Sequence, residues 1–399
     1  MSPPPDTRQR LALAGLSRIV EPGHRGVHQA VQDRGPVAVW EALRRGHSCD
    51  PVTPELRSGA ALRAEGYDPD ADLQRLARCG ARLVCPGDEE WPAARLSWLP
   101  QQGLEAPPLA LYVHGPHRLD EVVERSVAVV GARAATAYGA HVAGELATGL
   151  SDRGVTVVSG GAYGIDAAAH RGALASTRSP TAAVLACGVD VAYPRGHDRL
   201  LRQIAQTGLV VSELPPGSSP TRGRFLVRNR LIAALSLGTV VVEAARRSGS
   251  LATLHRARLL SRHVMTVPGP VTSLMSAGCH DQLRHRDHPA TCVTRVEEIL
   301  DSVGAMGADA ADPLRGPVRI RDGLSETVRL VLDAVPVRTG AGEASIARAA
   351  GVSSLVVQQV LPPLFANGLV ERTQDGWRLT PLGAGRPAPP QRSRPGPAP

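Results

Sequence analysis

The sequence predicts an α/β fold with a doubly wound, mostly parallel sheet, a small helical domain before it and a winged helix after it. Six short apolar runs, each followed by a longer helical pattern, carry this prediction. The runs are Val127–Val130, Thr156–Ser159, Ala182–Cys187, Leu209–Ser212, Thr239–Glu243 and Val264–Val267. Their starts are 29, 26, 27, 30 and 25 residues apart, which suits one strand with its connecting helix. Because the runs place apolar residues on both faces, we expect strands of a covered sheet, in a domain over residues 69–305.

Residues 1–68 are predicted to form the small helical domain. Leu11, Leu13, Leu16 and Ile19 begin a helical spacing of apolar residues that continues to about residue 65, interrupted by Gly and Pro.

The C-terminal part is predicted to hold a linker, a winged helix and a tail. Residues 306–322 have no periodicity and indicate a linker, and residues 384–399 are rich in Pro and Arg and indicate a disordered tail. Between them, residues 323–383 show helical patterns followed by strand, turn and strand, the order of a winged helix.

Every basic side chain other than His is Arg, and the 399-residue chain has a formal net charge of +8. An anionic partner is therefore favoured. The absence of Lys excludes a P-loop, a Schiff base and a lysine general base. The six cysteines form no C-x-x-C pair, and no signal peptide or run long enough to span a membrane is present, so we expect a cytoplasmic protein.

Two glycine-rich turns follow predicted strands and suit a phosphate. Gly131-Ala132-Arg133 follows the first, and Gly160, Gly161 and Gly164 follow the second. Glycines let the backbone approach an anion, and a helix N-terminus favours negative charge. A tight turn that needs Gly only for its geometry is the alternative. A dinucleotide is disfavoured because the first turn is not G-x-G-x-x-G and Ser159-Gly160 stands where a ribose-binding acid is expected.

The segment 222–262 carries nine arginines and one acid, Glu243, an excess of eight that equals the formal charge of the whole chain. Its arginines are Arg222, Arg224, Arg228, Arg230, Arg246, Arg247, Arg256, Arg258 and Arg262. We interpret them as phosphodiester contacts rather than a solvated face. Phe225 is either a stacking ring or a core residue, and Asn229 could reach a base edge.

Metal and acid–base sites are disfavoured. The His, Asp and Cys residues between 279 and 292 do not have the spacing of a zinc site. Asp166 and His170, four residues apart on one helix, could exchange a proton but are predicted to be structural. We therefore expect no metal, no cofactor and no catalytic residue.

Taken together, eight blocks resemble the DNA-processing protein A (DprA, or Smf) family. They are Val130–Arg133 with Tyr138-Gly139, Ser159–Asp166 with Ala169-His170, Gly188–Asp190 with Tyr193-Pro194, Ser212–Gly217, Phe225–Ala233, Glu243-Ala244, Ser248–Leu251 with Thr253, and Val267–Pro270.

The resemblance implies an extended Rossmann-like domain that binds single-stranded DNA, forms a homodimer and helps to load a RecA-type recombinase in natural transformation, without enzymatic turnover. It also implies an N-terminal domain of the SAM or helix-hairpin-helix type and a C-terminal winged helix. Carried over by position, the DNA-binding residues are Arg133, Gly160, Gly161, Gly164, Arg222, Arg224, Phe225, Arg228, Asn229, Arg230, Ser248, Gly249 and Ser250.

Three features depart from the family pattern. Thr136 replaces the usual Ser, residues 284–288 are polar where the family has an apolar, glycine-containing segment, and Pro362-Pro363 fall within the expected recognition helix. The polar segment leaves the register of the last strand open. An interior Pro costs about 3 kcal/mol or kinks the helix, which leaves DNA reading by this helix open.

Two alternative functions are also compatible with the sequence. The chain faintly resembles nucleotide phosphoribohydrolases of the lysine-decarboxylase-like group, in which Glu243 would be the catalytic acid. A transcriptional regulator whose winged helix reads duplex DNA is the other alternative.

Overall fold

The structure is a computed structural model that describes residues 3–99, 105–304 and 323–384. These residues divide into two compact units, which belong to Met1–Ala311 and Asp312–Pro399. The predicted linker, and the predicted tail apart from Ala384, lie outside the described residues.

Five helices begin the first unit. They are α1 (Thr7–Ile19), α2 (Arg25–Arg34), α3 (Pro36–Arg44), α4 (Pro54–Ala64) and α5 (Pro69–Arg78). Leu16, Ile19, Val39 and Leu43 lie in the apolar core that α1 to α4 share, whereas Leu76 of α5 packs with side chains of the sheet and of α10. The first unit holds both these helices and the sheet, and the boundary at residue 68 stays a prediction.

The described residues form a nine-stranded sheet that is mixed but mostly parallel. Its strands are β1 (Ala81–Val84), β2 (Leu111–His114), β3 (Ser126–Val130), β4 (Thr156–Ser159), β5 (Thr181–Leu185), β6 (Leu209–Ser212), β7 (Gly238–Val241), β8 (His263–Thr266) and β9 (Thr291–Cys292). They are ordered β1-β2-β6-β5-β4-β3-β7-β8-β9, and only the pairs β1–β2 and β2–β6 are antiparallel. The six predicted strands are confirmed within two residues at each end. After the segment 284–288 that departs from the family, β9 pairs in parallel with β8, with Met265 opposite Thr291.

Helices cover both faces of the sheet. They are α6 (Ala93–Leu96), α7 (Leu119–Glu124), α8 (Ala137–Asp152), α9 (Ile165–Ala175), a 3-10 helix (Arg195–His197), α10 (Asp198–Thr207), α11 (Arg222–Leu235), α12 (Gly249–Leu259), α13 (Ala277–Leu283) and α14 (Val296–Val303). Successive strand residues point to opposite faces. In β3, Val127 and Val129 pack with the side chains of α8, α9 and α14, whereas Ala128 and Val130 pack with those of α11 and α12.

The strand order reverses beside β3. The chain runs from β3 through β4 and β5 to β6 on one side and then crosses to β7 on the other side of β3. The loops after β3 and β7 therefore diverge and open a crevice at the carboxyl ends of the strands, where such sheets bind ligands.

The second unit contains α15 (Glu326–Ala334), α16 (Glu343–Ala350), α17 (Ser354–Ala366), β10 (Val370–Thr373) and β11 (Gly376–Leu379). Ala341 pairs with Trp377 beside the β10–β11 hairpin. This is the order of elements expected of a winged helix, an assignment that stays a prediction. Pro362 and Pro363 lie inside α17, which continues past them to Ala366.

No single helix among the described residues has the length and apolar character needed to cross a membrane. Only α16 and α17 taken together pass that test, and they are bent by 105° relative to each other.

Candidate nucleic-acid interface

A cleft of about 400 Å³ opens at the crevice between the loops after β3 and β7. Helix α11 and the start of α9 form its other walls. Its lining residues are Val130, Gly131, Ala132, Arg133, Ala134, Ala162, Asp166, Phe225, Leu226, Arg228, Asn229, Ile232, Ala245, Arg247, Ser248, Gly249, Ser250, Thr253 and Met275. Seven of the thirteen predicted DNA-binding residues are among them: Arg133, Phe225, Arg228, Asn229, Ser248, Gly249 and Ser250.

Glu243, at the end of β7, holds the β3–α8 turn in place. Its carboxylate accepts bonds from the Thr136 backbone N–H at 2.9 Å and the Thr136 hydroxyl at 2.6 Å. Its backbone carbonyl accepts a bond from the Ala132 N–H at 2.7 Å. A Cβ at position 139 would collide with this carboxylate, so Gly139 is required there. Glu243 is 1% exposed and therefore works as an internal anchor of the turn.

Arg228 forms the floor of the cleft. Its guanidinium donates to the Gly160 carbonyl at 2.9 Å and to the Val184 carbonyl. Burial lowers the pKa of Arg228 to about 10, while nearby Asp166 opposes the shift. Burial likewise raises the pKa of Asp166, against the attraction of Arg228. The pair thus places a positive group and a carboxyl under the cleft with little water around them.

Gly160, Gly161 and Gly164 shape the cleft without lining it. A Cβ on Gly160 would lie 2.7 Å from both Arg228 Nη2 and Asp166 Oδ2. Gly161 and Gly164 have φ angles of 69° and 77°, in the region that favours glycine. A Cβ on Gly164 would also lie 2.7 Å from the Arg133 carbonyl carbon. Close packing against Arg228 and Asp166 therefore requires glycine at position 160, whereas at position 164 both the φ angle and packing against the Arg133 backbone require it.

Arg133 stands at the mouth of the cleft above Phe225. Its guanidinium carbon is 5.0 Å from the centre of the Phe225 ring, and the Arg228 guanidinium carbon is 5.8 Å from the same centre. Arg133 is exposed, and Phe225 is half-buried. No carboxylate among the described residues pairs with Arg133, so its charge is available at the surface. The ring of Phe225 thus lies between two cations, with part of its face exposed.

The N-terminus of α12, after the loop that follows β7, forms a further wall of the cleft. Ser248 caps the helix, since its hydroxyl accepts a bond from the Ser250 N–H at 3.4 Å. The helix dipole and the hydroxyl groups of Ser248 and Ser250 favour an anion at this end. Arg247 precedes them, is exposed and lines the cleft. Within the part of the chain that the structure describes, no acid pairs with it.

Arg230 is wrong as a predicted DNA contact. Its side chain is fully buried, forms an ion pair with Glu213 at 2.8 Å and donates twice to the Ala106 carbonyl. It therefore ties α11 to the end of β6 and cannot reach a ligand.

Most of the other arginines in the segment 222–262 have partners outside the cleft. Arg224, which was also predicted to contact DNA, pairs with Glu21. Arg246 pairs with Asp281 and Arg256 with Glu105, while Arg258 and Arg262 donate to uncharged groups. Arg222 is exposed at the start of α11 without lining the cleft. The excess of positive charge in the sequence thus reaches the cleft mainly through Arg228 and Arg247.

His170 lies under the cleft and has a structural role, as its sequence context predicts. Its Nδ1 is 2.8 Å from the Thr181 hydroxyl, which itself donates to the Val157 carbonyl. The hydroxyl therefore accepts from Nδ1–H, and Nε2 is left unprotonated and without a partner among the described residues. Burial, together with the charges of His197 and Arg228, lowers the pKa of His170 to about 3. The imidazole is neutral across the physiological pH range.

Two exposed aromatic residues beside the cleft were missed in the sequence. Tyr163 is 50% exposed and Tyr193 is 41% exposed. Tyr163 precedes Gly164 and Tyr193 precedes Pro194. Only the glycines of these motifs were predicted to have a role in binding. The exposure of the tyrosines depends on the loops after β4 and β5, which periodicity does not describe.

Comparison with known proteins identifies the chain's relatives. The model of the family described as DNA recombination-mediator protein A matches residues 82–304, more than half of the chain. The chain belongs to this family. A Mycobacterium tuberculosis protein assigned by name to DprA is 48% identical over 385 residues, which cover 94% of this chain and 96% of that protein. DNA processing protein DprA of Streptococcus pneumoniae is 40% identical over 193 residues, or 48% of this chain and 66% of that protein.

The fold agrees with that of a solved family member. The X-ray structure of DprA from Streptococcus pneumoniae superposes with a TM-score of 0.60 at 29% identity, covering 75% of this chain and 98% of that chain. The resemblance predicted from eight sequence blocks is thereby confirmed at the level of family and fold.

Proposed function

We propose that the cleft binds the sugar-phosphate backbone and bases of single-stranded DNA. The observation that carries this proposal is the stack of Arg133 on Phe225 at the cleft mouth, opposite the N-terminus of α12. The cation and the helix end suit phosphates, and the ring offers a face for a base.

The half-buried ring favours an unpaired strand. A base in duplex DNA is already stacked on its neighbours, so its face is not accessible to Phe225. An unpaired base can turn and stack on an aromatic side chain, a contact worth about 1–3 kcal/mol. The exposed arginines then hold the strand by charge, and affinity falls as salt increases.

The position of Glu243 supports binding rather than hydrolysis. A phosphoribohydrolase would need this acid at the reacting sugar, but its two carboxylate oxygens accept bonds from Thr136 in the buried turn. We propose that the protein is not an enzyme. Release of a free base from a nucleoside monophosphate by the purified protein would contradict this.

We extend the proposal to a role in recombination. The family is described as a recombination mediator, and the resemblance of its motifs implies protection of incoming single strands and loading of a RecA-type recombinase during natural transformation. A homodimer in the cytoplasm is part of the same proposal. Light scattering that shows only monomers at every concentration would contradict the dimer, and single-strand-dependent capture of a RecA-type recombinase tests the partner.

Fluorescence anisotropy with matched single-stranded and duplex oligonucleotides tests DNA binding. We expect the single strand to bind more tightly, and Arg133→Ala to weaken that binding at least about tenfold, the loss expected for one charge-assisted contact. Arg246→Ala is the matched control, because Arg246 is exposed like Arg133 but pairs with Asp281 outside the cleft. Equal affinity for duplex, or equal binding by the wild-type protein and Arg133→Ala, would contradict the proposal.

A further inference from the structure

Three aromatic side chains lie around the glycine turn that follows β4, at the carboxyl edge of the sheet. Phe225 belongs to the cleft, while Tyr193 and Tyr163 lie beyond it and have no part in the site described above. Tyr193 follows β5, and Tyr163 lies in the turn between β4 and α9. We call Phe225, Tyr193 and Tyr163 the aromatic rim.

Contacts connect the members of the aromatic rim. The rings of Tyr193 and Phe225 have centres 5.5 Å apart and planes inclined by 48°. Tyr163 packs edge-on against His197 of the 3-10 helix, with ring centres 4.6 Å apart. A Cβ on Gly196 would lie 2.7 Å from the Tyr163 hydroxyl, so the glycine lets the ring lie against this helix. The 3-10 helix begins two residues after Tyr193 and therefore links the two tyrosines.

Tyr163, the member of the aromatic rim farthest along from Phe225, is also connected to the cleft. Tyr163 precedes Gly164, which packs against the Arg133 carbonyl, and Arg133 lies over Phe225. The rim thus surrounds the turn formed by Gly160 and Gly161, beneath which the Arg228 guanidinium is buried. It is continuous with the surface that holds Arg133.

The two tyrosines of the aromatic rim offer open ring surface to a ligand. Large apolar rings stabilise a fold by leaving water, yet Tyr163 and Tyr193 keep 50% and 41% of their surface in solvent. Neither hydroxyl bonds to another described residue, so hydrogen bonding does not explain the positions of the rings. Exposed aromatic faces in line with a phosphate site are the usual surface on which single-stranded nucleic acid stacks.

We propose that Tyr193 and Tyr163 each stack one further base of the strand that Phe225 holds, so that the aromatic rim extends the binding site past the cleft. This inference rests on the proposed function. Because Tyr193 and Phe225 contact each other, no base enters between them, and successive bases lie on the solvent-facing sides of the rings. The exposed side chain of Arg195, in the 3-10 helix, lies beside the tyrosines and supplies a positive charge for the phosphates of the DNA.

Binding of oligo-dT of increasing length to the full chain tests the extension. We expect Tyr193→Leu and Tyr163→Leu each to weaken binding of a long oligonucleotide about fivefold or more, the lower limit of measured base stacking. Tyr193→Phe and Tyr163→Phe should bind like the wild-type protein, because they keep the aromatic face. Trp98→Leu is the control, since Trp98 is 45% exposed and lines no part of the cleft. The shortest oligonucleotides, held by Phe225 alone, should bind all variants equally.

Oligonucleotides with abasic sites separate stacking from structural damage. Without bases beyond the cleft, the wild-type protein and the Leu variants should bind equally, whereas a damaged fold would bind every oligonucleotide more weakly. A 2-aminopurine placed beyond the cleft should lose fluorescence on binding to the wild-type protein and to the Phe variants. It should keep its fluorescence on binding to the Leu variants. If the Leu variants bind long oligo-dT like the wild-type protein while Arg133→Ala does not, the rim is refuted and the proposed function stands. If Arg133→Ala also binds like the wild-type protein, the proposed function itself fails.

Discussion

Gly160 shows how a single missing Cβ sets the geometry of the cleft. Its α-carbon lies against the Arg228 guanidinium and the Asp166 carboxylate, the two groups whose pKa values burial shifts. A glycine in such a turn is usually explained by its backbone angles, but here the close approach of two side chains requires it.

Gly160→Ala should displace Arg228 from the floor of the cleft. We expect loss of about 1–3 kcal/mol of unfolding free energy, as for overpacking of a core, together with weaker single-strand binding. Urea denaturation and anisotropy measure the two effects. Gly144→Ala is the control, because nothing lies within 4 Å of a Cβ there, and alanine in the middle of α8 should slightly stabilise the protein. If Gly160→Ala is as stable as the wild-type protein and binds single strands equally well, this account of the packing is contradicted.

His170 should make the protein sensitive to acid. Its folded-state pKa is about 3, below the value of about 6.5 in an unfolded chain, so the unfolded state binds a proton first as pH falls. The stabilising effect of neutral His170 is complete above pH about 6.5 and is lost progressively toward pH about 3.

His170→Asn removes this titration and keeps a donor for Thr181. Between about pH 7 and about pH 5 we expect the wild-type protein to lose about 2 kcal/mol of unfolding free energy relative to the variant. Urea denaturation at the two pH values measures this difference. Asp166, whose raised pKa acts in the opposite direction, is present in both proteins. A stability difference between wild type and variant that is independent of pH would show that His170 is already protonated, or exposed, in the fold.

At the residue scale, the family resemblance placed Arg133, Phe225 and Ser248 in one site, and all three line the same cleft. It failed at Arg230, since neighbouring arginines of a helix point in different directions. Arg228 and Arg230 are two residues apart, and only the partner side chains decide which of them faces the cleft.

Among the elements, α11 is held at its centre by a buried ion pair. Arg230 and Glu213 are 0% and 9% exposed in their side chains and lie 2.8 Å apart. Removal of one partner from such a pair leaves an uncompensated buried charge.

Arg230→Met should therefore destabilise the protein by about 3–5 kcal/mol. Adding Glu213→Leu should recover part of this loss, because the unpaired carboxylate is then also absent. Arg224→Ala, which removes the more exposed pair with Glu21, should cost no more than about 1 kcal/mol. Chemical denaturation of Arg230→Met, Glu213→Leu, the double variant and Arg224→Ala measures these differences, and additive effects in the double variant would argue against the pair.

The parallel strands could be predicted from the sequence because each is an uninterrupted apolar run at βαβ spacing. Strands β1, β2 and β9 could not. Arg82 interrupts β1 and both residues of β9 are exposed, so neither shows an apolar run. Strand β2 is apolar, but it pairs in antiparallel fashion and does not have the βαβ spacing on which the prediction relied.

At the scale of the whole molecule, composition predicted an anionic partner but not where it binds. Four of the nine arginines of segment 222–262 form ion pairs with Glu21, Glu105, Glu213 and Asp281, acids that lie outside the segment. Net charge over a segment therefore overstates the positive charge of any one surface. What remains at the cleft is the smaller group of Arg133, Arg228 and Arg247 around Phe225.

The dependence of single-strand affinity on salt tests this account most directly. Each phosphate contact with a single strand contributes about 0.7 to the slope of log affinity against log salt concentration. We predict that Arg133→Ala and Arg247→Ala each lower that slope by about 0.7, whereas Arg246→Ala, with its charge paired to Asp281, leaves it unchanged. Equal slopes for the wild-type protein, Arg133→Ala and Arg247→Ala would contradict the claim that this cleft holds the strand.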